Sequence, residues 1–266
     1  MDAIETIATM PRGGPDASWL DRRFQTDALE YLDRDDVADE TKQKVIRMLD
    51  RIGTRTKQHD IYASLARAVV SEVPSPRILE IGAGHGKLSA KILELIPTAA
   101  VTVSDVDPTS VANIAAGELG TNPRVRTQVI DATSIDAEDD SYDLVVFALA
   151  FHHLPPAVAY RAIAEATRVG KRFLVIDLKR RTPLRLTLSV LLMLPPQLIF
   201  AVASSSMRLV IHDGVISALR AYSASAFETL GRAVDPEMNI EFEPVGIRFP
   251  PSIAVVFSRS RRTRHG

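Results

Sequence analysis

Residues 78–89 read ILEIGAGHGKLS, an apolar run carrying one acid, Glu80, that breaks at Ile81 into Gly82, Gly84 and Gly86 set two apart. A short β-branched run reads as a buried strand, and KLSAKILELI behind it has the spacing of a helix. Glycines between the two let the backbone take positive φ and let a bulky ligand approach it closely. The helix that starts near Lys87 points free N–H groups across the same turn. A dinucleotide fingerprint, G-x-G-x-x-G, would need a third glycine where Lys87 stands. The carboxylate of Glu80 also suits a ligand with a positively charged moiety better than a pyrophosphate.

The pattern continues outward. AVTVSDVD precedes TSVANIAAGEL, RVRTQVIDA leads through an acidic loop to YDLVVFALAF, and AVAYRAIAEATRV precedes RFLVIDLK. Strands alternating with ten-residue helices imply βαβ units, right-handed crossovers and a doubly wound α/β sheet. NIEFEPVG and SIAVVFSRS, separated by a Pro-containing turn, read as an antiparallel hairpin at the sheet edge. The expected fold is therefore Rossmann-like and mostly parallel, with an antiparallel last strand. Residues 1–73 are helical in pattern and read as an N-terminal cap, with the ligand-binding domain over 74–266. A helical lid insertion is expected at about 181–222. The apolar stretch from Leu184 is cut by Pro195 and Pro196 into pieces too short for the roughly 30 Å of a bilayer core. It is read as two short helices, with contact to a membrane surface as the alternative.

Composition removes several classes. The 266 residues carry 32 Lys plus Arg against 33 Asp plus Glu, so no whole-molecule field favours nucleic acid. Only 6% are aromatic, with no basic groove of stacking rings in the pattern. The absence of cysteine excludes disulfides, thiolate metal sites and a thiol nucleophile, and is compatible with a cytoplasmic setting. The first residues show no basic segment followed by an apolar one, so no secretory signal is expected.

EIGAGHG is similar to the first motif of class I S-adenosylmethionine-dependent methyltransferases, and further motifs follow in order. Asp105 closes AVTVSDVDP, Asp131 and Ala132 close RVRTQVIDA, YDLVVFALAFHHL resembles the fourth strand and the loop facing the methyl donor, and EATRVGKRFLVIDLKR resembles the next helix and fifth strand. The flanks resemble bacterial enzymes of the ubiquinone and menaquinone type and natural-product O-methyltransferases. The resemblance implies S-adenosylmethionine as cofactor, held by Glu80, Gly82, Ala83, Gly84, Gly86, Asp105 with Val106, Asp131 with Ala132, and Phe147 with Ala148. Asp105 would accept from both ribose hydroxyls and Asp131 from the adenine amino group. His85 departs from the small residue common at its position and either faces solvent or covers the cofactor.

Methyl transfer from a sulfonium needs alignment and exclusion of water, with a base where the acceptor is a phenol or enol. His152 and His153 follow the fourth strand on the donor side, and His212 beside Asp213 lies in the insertion. These three histidines are the candidate catalytic residues. His59, Asp213, Arg220 and Tyr222 are candidate substrate contacts. No histidine pair has i, i+4 spacing, so no metal is expected. The expected acceptor is small and hydrophobic or aromatic, methylated on oxygen, with no nucleic-acid partner and with self-association left open. Binding of the donor without methyl transfer and an NAD-linked oxidoreductase are the other two readings.

Overall fold

The computed structural model describes residues 3–192, 205–246 and 251–260. Pro195 and Pro196, and with them the second half of the expected apolar helix pair, lie outside the described residues. Among the described residues no helix is long and apolar enough to cross a membrane.

Four helices come first: α1 (Ala3–Ala8), α2 (Trp19–Phe24), α3 (Asp39–Arg55) and α4 (Gln58–Val69), with a 3-10 turn at Tyr31–Asp33 between α2 and α3. Alternation then begins with β1 (Arg77–Ile81), α5 (Lys87–Leu95), β2 (Ala100–Asp105), α6 (Pro108–Ala116) and β3 (Val125–Val129). It continues with β4 (Leu144–Ala148), α7 (Pro156–Val169) and β5 (Phe173–Leu178). Residues 183–192 form a helix, α8, followed by α9 (Ser205–Arg220), α10 (Ala224–Val234), β6 (Asn239–Glu243) and β7 (Ser252–Ser258).

The seven strands run in the order β3-β2-β1-β4-β5-β7-β6. The first five are mutually parallel, and β7 is antiparallel to both β5 and β6. The C-terminal pair is thus the expected antiparallel hairpin, with the last strand tucked inside its partner. The exposed β6 edge carries Glu241 and Glu243, which discourage pairing with another chain.

Period-two alternation sends side chains to two cores. Leu79, Ile81, Val145, Phe147, Phe173 and Val175 join Ala162, Ile163 and Ala166 of α7 and Phe227 and Leu230 of α10. Ile78, Val101, Val103, Leu144, Val146 and Leu174 join Tyr62 and Ala66 of α4 and Leu88 and Ile92 of α5. Helix α4 therefore forms a layer of the sandwich itself, while α1 reaches the opposite face and buries Ile7 against the α7 side. Both faces are covered, as a parallel sheet requires. Strand order reverses between β1 and β4, which fixes the crevice beyond their carboxyl ends as the place for a ligand.

Candidate active site

The chain leaves β1 into the glycine turn with all three glycines left-handed: Gly82 at φ 65°, Gly84 at 57° and Gly86 at 71°. A Cβ on Gly82 would stand 2.8 Å from the Phe147 ring and one on Gly86 2.5 Å from Leu119, so the turn has neither the dihedrals nor the room for larger residues. At Gly84 a Cβ would meet a methyl of Ile46 in α3 at 3.4 Å, ordinary contact, so there the left-handed φ rather than a clash calls for glycine. Asp105, at the end of β2, ties itself to this turn. One carboxylate oxygen accepts from the Gly84 N–H at 2.9 Å and the other from the Asp107 N–H at 3.0 Å. Each oxygen keeps a lone pair for a further donor. Val106 beside it is 66% exposed, an apolar face next to the carboxylate. Asp131 is exposed beyond β3 and spends one oxygen on the Thr133 N–H and hydroxyl, both at 2.8 Å, while Ala132 is buried. Phe147 is buried beneath the turn and Ala148 half-buried at the end of β4.

Glu80 is buried in β1, where it accepts from the Ser89 hydroxyl of α5. Desolvation pushes its carboxyl up to about 7, against the pull of the Ser89 hydrogen bonds. A raised folded-state value places the stabilising contribution below the ordinary 4.5, and it is lost as pH rises through about 7. Unfolding in urea at pH 5 and pH 8 should thus show a pH-dependent loss of stability that Glu80→Gln diminishes; an identical difference in the variant would assign the dependence to other groups.

Helix α3 closes over the turn. The two ring nitrogens of His85 meet the Asp50 carboxylate at 2.6 Å and the Gln43 amide oxygen at 2.7 Å. Gln43 also donates to the Ser110 hydroxyl at 3.2 Å, so one buried side chain bridges the glycine turn and the start of α6. His85 is accordingly held beneath the helix rather than turned to solvent. His59 packs in the first turn of α4 against Gly53, with its Nε2 buried and unpartnered.

A second constellation sits where β4 and β5 end. Leu149 adopts left-handed φ of 57°, uncommon for a branched residue, and swings the chain into the 3-10 turn Phe151–His153. Asp177, inside β5 and 1% exposed, accepts from the His152 backbone N–H and pairs with His152 Nδ1, each at 2.7 Å. His153 Nδ1 pairs in the same way with Asp33 at 2.7 Å. The remaining nitrogens turn towards one carboxylate, that of Glu30: His152 Nε2 stands 3.4 Å from Oε1 and His153 Nε2 3.7 Å from Oε2. Glu30 is 3% exposed and accepts from the Ser217 hydroxyl of α9 at 2.8 Å. Burial alone would lower the basicity of His152, but the Asp177 charge and hydrogen bond, joined by Glu30, push it up to about 10. Burial opposes ionisation of Glu30 and Asp33, yet the histidines, with Arg220 on Asp33, hold both carboxyls below their ordinary values.

Of the other expected residues, Arg220 joins this cluster. His212 is largely exposed on α9, pairs with Asp213 at 3.0 Å and lies against Tyr31, so it is not part of the His152–His153 cluster. Asp213 is buried and accepts from the Tyr31 N–H at 3.0 Å. Arg220 is buried and binds Asp33 and the His153 carbonyl, a positioning contact for the histidine turn. Tyr222 corrects the sequence reading: it is 1% exposed, its ring packs on Phe151 and Phe227, and its hydroxyl donates to the Leu154 carbonyl at 2.7 Å. It supports the loop from within the core, because an aromatic near a polar loop has the same local signature whether it faces in or out.

Asp177 had a sequence signal, an acid within the apolar run LVIDL. Glu30, Asp33, Gln43, Asp50 and Arg12 had none. Arg12 donates to the His152 carbonyl at 2.7 Å and the Arg220 carbonyl at 2.9 Å from the far end of the chain.

Residues 78–172, from β1 to the threshold of β5, match the methyltransferase domain family. With the strand order and the glycine turn, they define a class I methyltransferase domain, the class whose methyl donor is S-adenosylmethionine. A curated relative, the malonyl-[acyl-carrier protein] O-methyltransferase of Geobacter sulfurreducens, is 32% identical over 137 residues, 46% of this chain and 50% of the relative. The chain thus spans about half the length of that relative. Two solved structures share the fold. One, from Nostoc punctiforme and provisionally named an O-methyltransferase, is 16% identical with a TM-score of 0.61 over 97% of this chain and 72% of the other. The plantazolicin methyltransferase, solved with S-adenosylhomocysteine and a desmethyl analogue, is 14% identical with a TM-score of 0.60 over 97% and 98%.

Proposed function

We propose that the protein transfers a methyl group from S-adenosylmethionine to an oxygen of a small, apolar acceptor. The observation that carries this reading is the placement of two constellations along one carboxyl edge of the sheet: the glycine turn with Asp105, and the buried Glu30–His152–His153 cluster. The residues of the first fit the donor. The left-handed glycine turn leaves no Cβ between its backbone and the donor, Asp105 has two free lone pairs for the ribose hydroxyls, Val106 offers an apolar face, and Asp131 has a free oxygen at the rim. When bound, the sulfonium supplies an activated methyl group and a neutral thioether leaving group.

This chain's own residues then orient the acceptor and receive its proton. That work belongs to the cluster after β4. Asp177, Asp33 and Ser217 hold His152, His153 and Glu30 in place there, so that a nitrogen or carboxylate oxygen of the cluster accepts the proton as the methyl group is transferred. An apolar acceptor is supported by α8, which exposes Leu184, Leu188, Leu191 and Leu192 on one helical stripe in the segment expected to be the lid. O-methylation is further supported by the Geobacter relative, which is named an O-methyltransferase. Incubation with methyl-labelled donor and a panel of phenols, quinols, enols and malonyl-type thioesters tests the reading. The expected result is a labelled product whose new methyl is bonded to oxygen, as an ether, enol ether or ester identified by mass and by its O–CH3 resonance, formed one-for-one with S-adenosylhomocysteine. A chain that binds the donor and yields no S-adenosylhomocysteine with any acceptor would be a binding protein instead.

A further inference from the structure

We propose that Glu30, His152 and His153 form a binding site for one divalent transition-metal ion of borderline softness, of the zinc or cobalt type. The inference deepens the reading above, in which the acceptor's oxygen lies at this cluster, and adds a cation there. Local spacing gave no hint of it, since the carboxylate comes from the segment before α3 and the histidines from the turn after β4. Folding brings one donor atom from each residue within 4.8 Å of the others, and among the described residues no second group of three such side chains does so.

Two features of the geometry favour a cation over a plain ion-pair network. The first is a contrast of distances. On their Nδ1 sides the imidazoles close on Asp177 and Asp33 to 2.7 Å, full hydrogen-bond contact. On their Nε2 sides the same rings stop 3.4 and 3.7 Å from Glu30, longer than a full hydrogen-bond contact. Ligand atoms about 2.0–2.1 Å from a tetrahedral ion are separated by about 3.4 Å, near both of these gaps. The second is the anchoring. Each histidine presents Nε2 inward and commits Nδ1 to a carboxylate, the arrangement that fixes the ring and tautomer of metal-binding histidines. The Ser217 hydroxyl steadies the third donor. A donor set of two imidazoles and one carboxylate suits zinc, cobalt, nickel, manganese or iron ahead of magnesium or calcium. Three protein donors leave a coordination position for an acceptor oxygen, and the half-buried His153 gives the site its way out.

The test is a titration of the whole chain, stripped with chelator and dialysed, with cobalt(II) followed by its visible ligand-field absorption and with zinc(II) by calorimetry. One equivalent is expected to bind, with the spectrum of a low-coordinate site containing imidazole. Glu30→Gln and His153→Ala should weaken binding at least about 100-fold, and Asp33→Asn, which touches a ligand's far nitrogen, about tenfold or more. Wild-type protein that takes up no stoichiometric cobalt, or variants that bind it as wild type does, would overturn the site. If Glu30→Gln fails to fold, the wild-type spectrum and the Asp33→Asn affinity decide alone. S-adenosylmethionine affinity is measured on the same samples. Donor binding without metal binding sinks the cation and spares the methyltransferase reading; metal binding without donor binding does the reverse.

Discussion

Asp177→Ala is expected to destabilise the protein by about 3–5 kcal/mol, the cost of removing one partner from a buried charged pair. Three donors converge on this carboxylate: the His152 backbone N–H, His152 Nδ1 and the Leu178 N–H, each at 2.7 Å. Neither Asp177 nor His152 is more than 3% exposed, so water cannot take the vacated place without opening the end of β5. Removing the carboxylate leaves both backbone groups and a ring N–H buried without an acceptor. The midpoint of thermal unfolding should fall by about 10 °C, and Asp177→Asn, which keeps one acceptor oxygen, should fall between the two. Urea unfolding followed by circular dichroism checks this. A loss below about 1 kcal/mol would mean that the histidine turn re-pairs locally, and that Asp177 is not what fixes it.

The second large effect belongs to the donor. Asp105→Ala should raise the dissociation constant of S-adenosylmethionine by about 100-fold, roughly 3 kcal/mol, because two hydrogen bonds to a charged acceptor disappear. The same change releases the Gly84 and Asp107 N–H groups, so the turn also loses its tie to β2. Asp105→Asn retains one good acceptor and should lose less. With saturating donor the Asp105→Ala chain should recover most of its turnover number, since the residue binds the nucleoside and does not touch the acceptor. Calorimetry on the purified chain gives the affinity directly. Unchanged affinity would remove Asp105 from the donor site.

What could be read from the sequence was whatever is decided by neighbours in the chain. The strand–turn–helix around Gly82, Gly84 and Gly86 is such a case, because strand, left-handed turn and helix start are all dictated within a dozen residues. Asp105 stands out for a related reason: an acid at the end of an apolar strand has few places to go other than a site or a buried partner. Asp177, inside the run LVIDL, carried the same signal and was not singled out, because nothing local says which residue it pairs with. The hairpin of β6 and β7 was visible from its short turn, but nothing local says that β7 slips between β5 and β6. Glu30, Asp33, Gln43 and Asp50 were invisible because each acts on a partner dozens of residues away, Asp33 and His153 being 120 apart. Tyr222 was misplaced for the converse reason: sequence proximity to polar residues suggests a ligand there, while its burial puts it in the core. His212 stands on α9 beside Asp213 and Tyr31, apart from the other two histidines, a separation that no local pattern gives.

The clasp that Gln43 and Asp50 make on His85 bears on traffic. On the proposed reading a nucleoside on the glycine turn lies against α3, which is joined to the turn through His85 and to α6 and its cap through Gln43, which meets Asp107, Ser110 and Asn113. Departure of the product along that side would loosen these contacts together, and so ties its release to the helix that precedes the sheet.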